Sequence, residues 1–502
     1  MRLALSFGLL SVLLLGQQPG TLAGEAMQLP ASGPKGPNPV NTQQSTVSGQ
    51  SASVIQPSLQ VNGAYEGSVP GRNLPPGPVK LSLSDAVQRG LQVNLGTITA
   101  STASMTARAQ RARALSRLLP QISASLGATE KQVNLAAEGL NAIGNAFPGF
   151  RTVVGPFHYV QAQGNFNWSA FDLTQIRNYQ ATRDLQRASR FDLRNARELV
   201  VLAVGGTYLQ AVADAARVAS QKTQVTYAQA VYDQSAAQLA AGTNIRIDVT
   251  RSQVELQTEQ ERLNSLEADY RERKIALARL IGIPLGRKLI LTEPFGYRKV
   301  HPVSPEPAIS SALQHRADLQ SSEAQLKAAK RVLAAARDER YPSLSFGGDY
   351  GAIGATPDSS HGVFVAEASV NIPIFTGGRI KSDIRQARAT VAQRRAEYRD
   401  EKGQVEQEVR DALIQLQTAI GQEHLAESNR KLALETLTQA RDRFKAGVTN
   451  TVEVVQAQQQ ESSAESAYVS SLFAFNLARL TLARATGEAE ANVGSLFAGS
   501  RP

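Results

Sequence analysis

The side chains best placed to do chemistry are two carboxylates that recur after the same punctuation. Residues 240–253 read AAGTNIRIDVTRSQ and residues 445–458 read KAGVTNTVEVVQAQ, about 205 positions apart. Each stretch has Ala-Gly, four variable residues, a β-branched residue, an acid (Asp248 or Glu453) and a valine. Acids there suit the first turn of a helix, whose positive dipole end favours carboxylates, and Asn450 with Glu453 has capping-box spacing. Other chemistry is scarce. The five histidines (His158, His301, His315, His361, His424) are scattered with no pair at ligand spacing, and there is no cysteine. Disulfides, thiolate zinc sites, a cysteine nucleophile and a lipid-anchored N-terminal cysteine are thereby excluded. No nucleophile–base constellation stands out, so the expectation is a protein that is not an enzyme, with no catalytic, cofactor or metal site. GDYGAIGA (348–355) is glycine-rich but follows no buried parallel strand, so it is expected to be a strand exit rather than a phosphate loop.

Gly242 and Gly447 are expected to end helices in the left-handed conformation that glycine tolerates. Asn244, Thr449 and Asn450 are expected to cap the helices that follow. The duplication runs further. Leu277-Ala278-Arg279 with Gly282 returns as Leu482-Ala483-Arg484 with Gly487, Phe171 answers to Phe375, and Pro120 to Pro342. The change of offset places about 18 extra residues of the first copy around Thr129–Gly155. No proline interrupts Phe171–Ile283 or Ile374–Arg501, so residues 171–240 have room for a helix of roughly 105 Å. Ile380, Ile384, Ala387, Val391, then Val405, Val409, Ala412 and Leu416 form a narrow stripe suited to coiled-coil packing. Gly205, Gly206, Gly403 and Gly421 are expected weak points where these helices bend or break.

The first residues carry Arg2, an apolar run from Leu3 to Leu15 and a Thr21-Leu22-Ala23 cleavage pattern, so 1–23 are expected to be a signal peptide. Residues 24–78, rich in Pro, Gly, Ser and Gln, read as a disordered linker. Val79–Leu83 should begin the folded part, with Ser84-Asp85 capping a helix. The first repeat is expected over 79–300, with strands at about 120–129 and 159–170 and helices at 171–240 and 245–281. The second is expected over 301–487, with strands at about 342–352 and 362–374 and helices at 377–446 and 450–486, followed by a tail, 488–502. After the signal peptide there is no uncharged apolar run long enough for a transmembrane helix. The net charge of +10 lacks a basic cluster and alternates with acids along helices, so nucleic acid is not an expected partner, whereas anionic lipid headgroups are.

The strands alternate with one phase. Phe364, Ala366, Ala368, Val370, Ile372 and Ile374 oppose Val365, Glu367, Ser369 and Asn371, and Val160 to Trp168 alternate with Tyr159 to Asn167. That pattern fits a membrane barrel, with lipid outside and water inside, ahead of a half-buried sheet in a soluble sandwich, because the helical pattern offers no separate core for those faces to cover. Trp168, Tyr159, Tyr341 and Tyr350 suit interfacial aromatic girdles or barrel-wall packing. Four strands cannot close a barrel, so several chains must pool theirs: two would give eight strands, three would give twelve.

LSLSDAVQRGLQVN, Leu119-Pro120, NIPIFTGGRIKSDIRQARA (371–389), the two Ala-Gly turns and the closing LARLIG and LARATG make the chain resemble the TolC-like outer-membrane efflux family over about 79–487. The resemblance implies a mainly α fold with membrane β and an internal duplication, each repeat holding two strands and long coiled-coil helices. It further implies a homotrimer with a twelve-stranded outer-membrane barrel and a periplasmic helical tunnel. Its partners would be a periplasmic adaptor and an inner-membrane pump, and its function the gated exit duct of an efflux or type I secretion system. A periplasmic adaptor or tethering coiled coil without a pore is the alternative. On the same resemblance Gly242, Asp248, Gly447 and Thr449 mark the periplasmic tips where the adaptor docks, and Glu453 and Gln456 the lumen constriction. Arg246 and Arg251 are possible basic gate residues, since Thr449 stands where an arginine can occur. The family's second constriction acid is replaced by Gln456.

Overall fold

The computed structural model describes residues 25–29, 39–48, 53–70, 77–137, 151–242, 245–293, 296, 304–446, 448–449 and 451–492. The expected signal peptide, Gly447, Asn244, Asn450 and the end of the tail lie outside the described residues. In chain order the elements are β1 (Val40–Ser48), β2 (Ser53–Val61), β3 (Val79–Leu81), α1 (Leu83–Val93), α2 (Leu95–Ser116), β4 (Gln121–Asn134) and β5 (Val153–Phe171). There follow α3 (Leu173–Ala240), α4 (Arg246–Leu280), β6 (Leu289–Leu291), α5 (Pro305–His315), α6 (Ala317–Asp338), β7 (Ser343–Gly354), β8 (His361–Asn371), α7 (Arg379–Lys445) and α8 (Thr451–Ala485). The duplication shows in the lengths: α1 and α5 both have 11 residues, α2 and α6 both 22, α3 and α7 68 and 67, α4 and α8 both 35.

Two compact units divide the chain. The first holds Met1–Ser32, Ala107–Gln186 and Gln325–Arg395. Its centre is one antiparallel sheet in the order β4-β5-β7-β8, carried on helical segments tied by ion pairs. Arg177 meets Asp338 at 3.0 Å, and Arg379 meets the buried carboxylate of Glu339 at 2.8 Å. The segment at 25–29 is fixed here too. Ala26 N–H donates to Glu339 Oε1 (2.6 Å), and Asn178 brackets the segment by accepting from Met27 N–H and donating to Glu25 O.

The second unit holds Gly33–Thr106, Arg187–Ala324 and Ala396–Pro502. Its main core gathers Leu81, Leu83 and Val87 with Leu199–Val204 and Tyr208 of α3, Leu277 and Leu280 of α4, and Phe473, Leu477 and Leu480 of α8. α3 contains one window apolar enough to cross a membrane, but 83% of that window is buried, which makes it a core helix. β3 and β6 pair in parallel. α1 is capped by Ser82, whose Oγ accepts from Asp85 N–H at 3.1 Å, with Asp85 reaching back to Ser82 N–H. The cap therefore sits two residues before the expected Ser84, because only Ser82 places an acid at the third helical position.

Three expectations need correction. Residues 24–78 are not a featureless linker: β1 and β2 form an antiparallel hairpin paired from Val40↔Val61 to Ser48↔Ser53. Val40 is buried in the main core, and Leu59, Val61 and Tyr65 pack against it. Glycine makes room for them. A Cβ at Gly206 would meet Leu59 Cδ2 at 2.6 Å, and one at Gly96 would meet Tyr65 Cδ1 at 2.6 Å. For the same reason Gly205 and Gly206 do not break α3, which runs unbroken because the missing side chains are replaced by Leu480, Leu477 and Leu59. α7 likewise continues through Gly403 and Gly421. The strand ends also move: β5 begins at Val153 and β8 stops at Asn371.

Candidate functional site

The sheet's register turns the alternation of single strands into two chemical faces. Ile122 lies opposite Phe166, Leu126 opposite Ala162, Trp168 opposite Phe346, Leu344 opposite Val370, and Tyr350 opposite both Gly164 and Phe364. All of these point one way, because facing residues in a ladder share a side. The other face carries Ser123, Asn165, Asp349 and Val365 on one rung, and Gln121, Asn167, Gly347 and Glu367 on another. Polar side chains bond across that face, as in Asn165 Nδ2 to Ser125 Oγ (3.3 Å) and Ser345 with Ser369 (2.8 Å). The apolar face has no cover. Ile122 is 80% exposed, Leu126 86%, Tyr350 and Phe364 75% each and Val370 62%. Trp168 stacks on Phe346 with centroids 6.0 Å apart and donates its indole N–H to Leu118 O. β4 and β8 are the sheet's two edges.

The tips lie in the second unit. At the first, Ala241 N–H bonds Ala237 O, Gly242 N–H bonds Leu239 O, and Gly242 takes φ +74°, so the expected glycine cap is present in its left-handed form. Asp248 lies in the first turn of α4 and accepts from Arg251 at 2.9 Å, which ties one of the possible gate bases to a neighbour on its own helix. Arg246 is the exposed first residue of α4. At the second tip Val448 N–H reaches Arg443 O at 3.0 Å, a Schellman-type closure. Glu453 accepts from Thr449 Oγ1 and, at 2.9 Å, from Arg443 Nη1. Thr449 and Glu453 are thus brought together, while Gln456 is exposed farther along α8. Arg443, at the end of α7, supplies a basic group at the second tip.

Between the hairpins the packing is partly polar. Val231, Phe444 and Val454 form one apolar cluster, and Leu437, Ala440 and Ala457 another, flanked by Tyr227 with Arg441 4.5 Å over its ring. Deeper lies a buried layer in which Gln224 donates to Glu461, Gln458 donates to Gln224 O (3.2 Å), and Gln221 donates to Glu259. Burial pushes the Glu461 carboxyl up, against the pull of the Gln224 hydrogen bond. At the other end of α8 a buried charge network joins Arg316, Asp318, Glu408 and Arg484. Arg316 occupies the break between α5 and α6 that Asn94 occupies between α1 and α2.

Sequence reasoning missed Arg443 and this polar layer. The signal for Arg443 was a base in the last turn of one helix followed by an acid in the first turn of the next. For the layer it was glutamines and glutamates at Gln458 and Glu461, in the same threes and fours as Val454. No arrangement among the described residues assembles three metal-ligating side chains.

A family model described as outer membrane efflux protein matches residues 98–283 and 308–488, one stretch for each repeat. The outer membrane efflux protein BepC of Brucella suis is 25% identical over 333 residues, 65% of this chain and 72% of that protein. The pyoverdine export outer membrane protein OpmQ of Pseudomonas putida is 25% identical over 199 residues, 39% of this chain and 42% of OpmQ. The nodulation protein T of Rhizobium leguminosarum bv. viciae is 24% identical over 268 residues, 51% of this chain and 54% of that protein, so the match spans about half the length of such relatives. Among solved structures, the Campylobacter jejuni CmeC outer membrane channel superposes with a TM-score of 0.71 at 19% identity, over 83% of this chain and 89% of CmeC. The open state of the Neisseria gonorrhoeae MtrE outer membrane channel gives 0.69 at 18%, over 92% and 98%. The fold, helical with a membrane-type sheet and duplicated, is that of these channels, and the paired matches cover most of each repeat: the chain belongs to the outer membrane efflux protein family.

Proposed function

We propose that this chain is the outer-membrane subunit of a tripartite efflux or type I secretion system, a passive, gated exit duct built from three copies. One observation carries the reading: a four-stranded sheet whose apolar face is bare and whose edges, β4 and β8, are open. Hydrocarbon does not tolerate unpaired strand edges, so such a sheet enters a bilayer only when other copies complete it. The strand directions alternate across the sheet, so β8 of one copy and β4 of the next can pair antiparallel, and three copies give twelve strands. Apolar residues left exposed on α7 (Ile414, Leu425, Leu432) and α4 (Val254, Ile275) suit helix packing between copies. The second tip, braced by the Arg443–Glu453 pair, suits a gate that adaptor binding biases toward an open population. An adaptor, an inner-membrane pump, a cleaved signal peptide and the absence of a lipid anchor complete the reading. The pore-free adaptor alternative has no support among the family matches or the structural neighbours. Membrane extraction tests the proposal. Detergent should be needed, and the product should be a heat-sensitive trimer that conducts in planar bilayers; release as a soluble monomer by osmotic shock would refute it.

A further inference from the structure

We propose that the outer end of the first membrane hairpin forms an apolar constriction at the pore mouth, by packing against the same hairpin in the other copies. This rests on the pore reading above. β7 ends at Gly354, opposite Val160, and the last pair between β7 and β8 is Ile353↔His361. β4 and β5 continue beyond that rim, paired with each other alone as far as Asn134↔Val153.

Along this extension the two faces exchange chemistry. The β4 phase that carries Ile122, Ala124, Leu126 and Ala128 goes on with Glu130, Gln132 and Asn134. On β4 the lipid-type face becomes polar in one step, which sets the outer limit of the hydrocarbon, and the apolar partner on that face is Val153, opposite Asn134. The opposite phase, which begins Gln121, Ser123, Ser125, ends at Val133 and finds Tyr159, Phe157 and Val154 as its rung partners in β5. The register irregularity between Lys131 and Val133 puts the extra residue into β5. Val154 therefore stands opposite Val133, and an apolar pair stays on the face that is lined with amides and hydroxyls below the rim. Phe157 is 42% exposed and Val154 41%.

In a closed barrel the polar face of every copy looks at one axis. Apolar side chains on the extension of that face then look at their own counterparts, and burial against them removes apolar surface from water at about 25 cal/mol per Å². A twelve-stranded barrel is about 24 Å across, and a bulge bends its strand, so a modest lean of three hairpins brings the phenylalanines together. A ring of apolar side chains resists ion passage by dewetting. Lys131, on the Phe157 rung, limits by mutual repulsion how tightly the copies meet, which leaves the constriction able to open.

The absence of native cysteine makes the test direct. Phe157→Cys, Val154→Cys and, on the opposite face, Glu130→Cys are each reconstituted as conducting channels and treated with a short bis-maleimide. The first two should cross-link between chains and the third should not, and Phe157→Ser in the otherwise native chain should raise conductance about twofold or more. Conducting trimers in which positions 154 and 157 stay uncoupled, or in which Phe157→Ser leaves conductance unchanged, overturn the constriction and leave the pore reading standing. A native chain that neither trimerises nor conducts overturns the pore reading, and the constriction falls with it.

Discussion

Arg443 and Glu453 face each other across the second tip at 2.9 Å, with Thr449 holding the other carboxylate oxygen. The pair is solvent-accessible, so it contributes about 0.2–1 kcal/mol, enough to bias a gate and too little to decide folding. Arg443→Gln and Glu453→Gln should therefore raise the open fraction in bilayer recordings to a similar extent, without lowering thermal stability. If Glu453 lines the path, Glu453→Gln should lower cation preference in a salt gradient and Arg443→Gln should raise it, since the two remove opposite charges from one spot. Unchanged gating in both variants would show that this pair does not hold the tip. The place of Glu453 in the first turn of α8 was legible because Thr449, Asn450 and Glu453 follow local spacing rules. The Arg443 contact was not, because it joins residues ten positions apart across a turn whose geometry no spacing rule specifies. The Gln224–Glu461 layer was hidden for a different reason: glutamine and glutamate in a helix read as solvent-facing until a second helix covers them.

At the scale of elements, the long helices and the sheet were legible because their periods are written in side-chain chemistry. Ile122, Ala124 and Leu126 against Ser123 and Ser125 can form only one register with a two-sided sheet. The β1–β2 hairpin was not legible. Its strands, VNTQQSTVS and SVIQPSLQV, are too polar to show a core face, and the anchoring comes from Val40, Leu59 and Val61 packing on a core far away in sequence, with Leu59 seated against Gly206. That arrangement gives a paired prediction. Gly206→Val drives a Cβ to 2.6 Å from Leu59 and should cost about 1–3 kcal/mol, with the hairpin becoming protease-sensitive first. Gly403→Ala, with nothing within 4 Å of the new Cβ, should stabilise by about 0.5–1 kcal/mol, as expected for a helical glycine. Thermal melts of the two variants read both signs; stabilisation by Gly206→Val would show that Leu59 does not need that space.

At the scale of the whole molecule, the duplicated chain supplies four membrane-type strands and exposes an apolar face that no soluble monomer of this kind would keep bare. The central claim is that β8 of one copy closes onto β4 of the next. It is tested most directly by pairing one cysteine fixed on the polar face of β8, at Ser369, with single cysteines stepped along β4 from Gln121 to Thr129. If the barrel is shared, oxidation in the membrane links neighbouring chains into covalent trimers at one register, and alternate β4 positions respond because successive residues face opposite sides. If no β4 position links to another chain, or if every link forms within one chain, the sheet does not close between copies and the account fails.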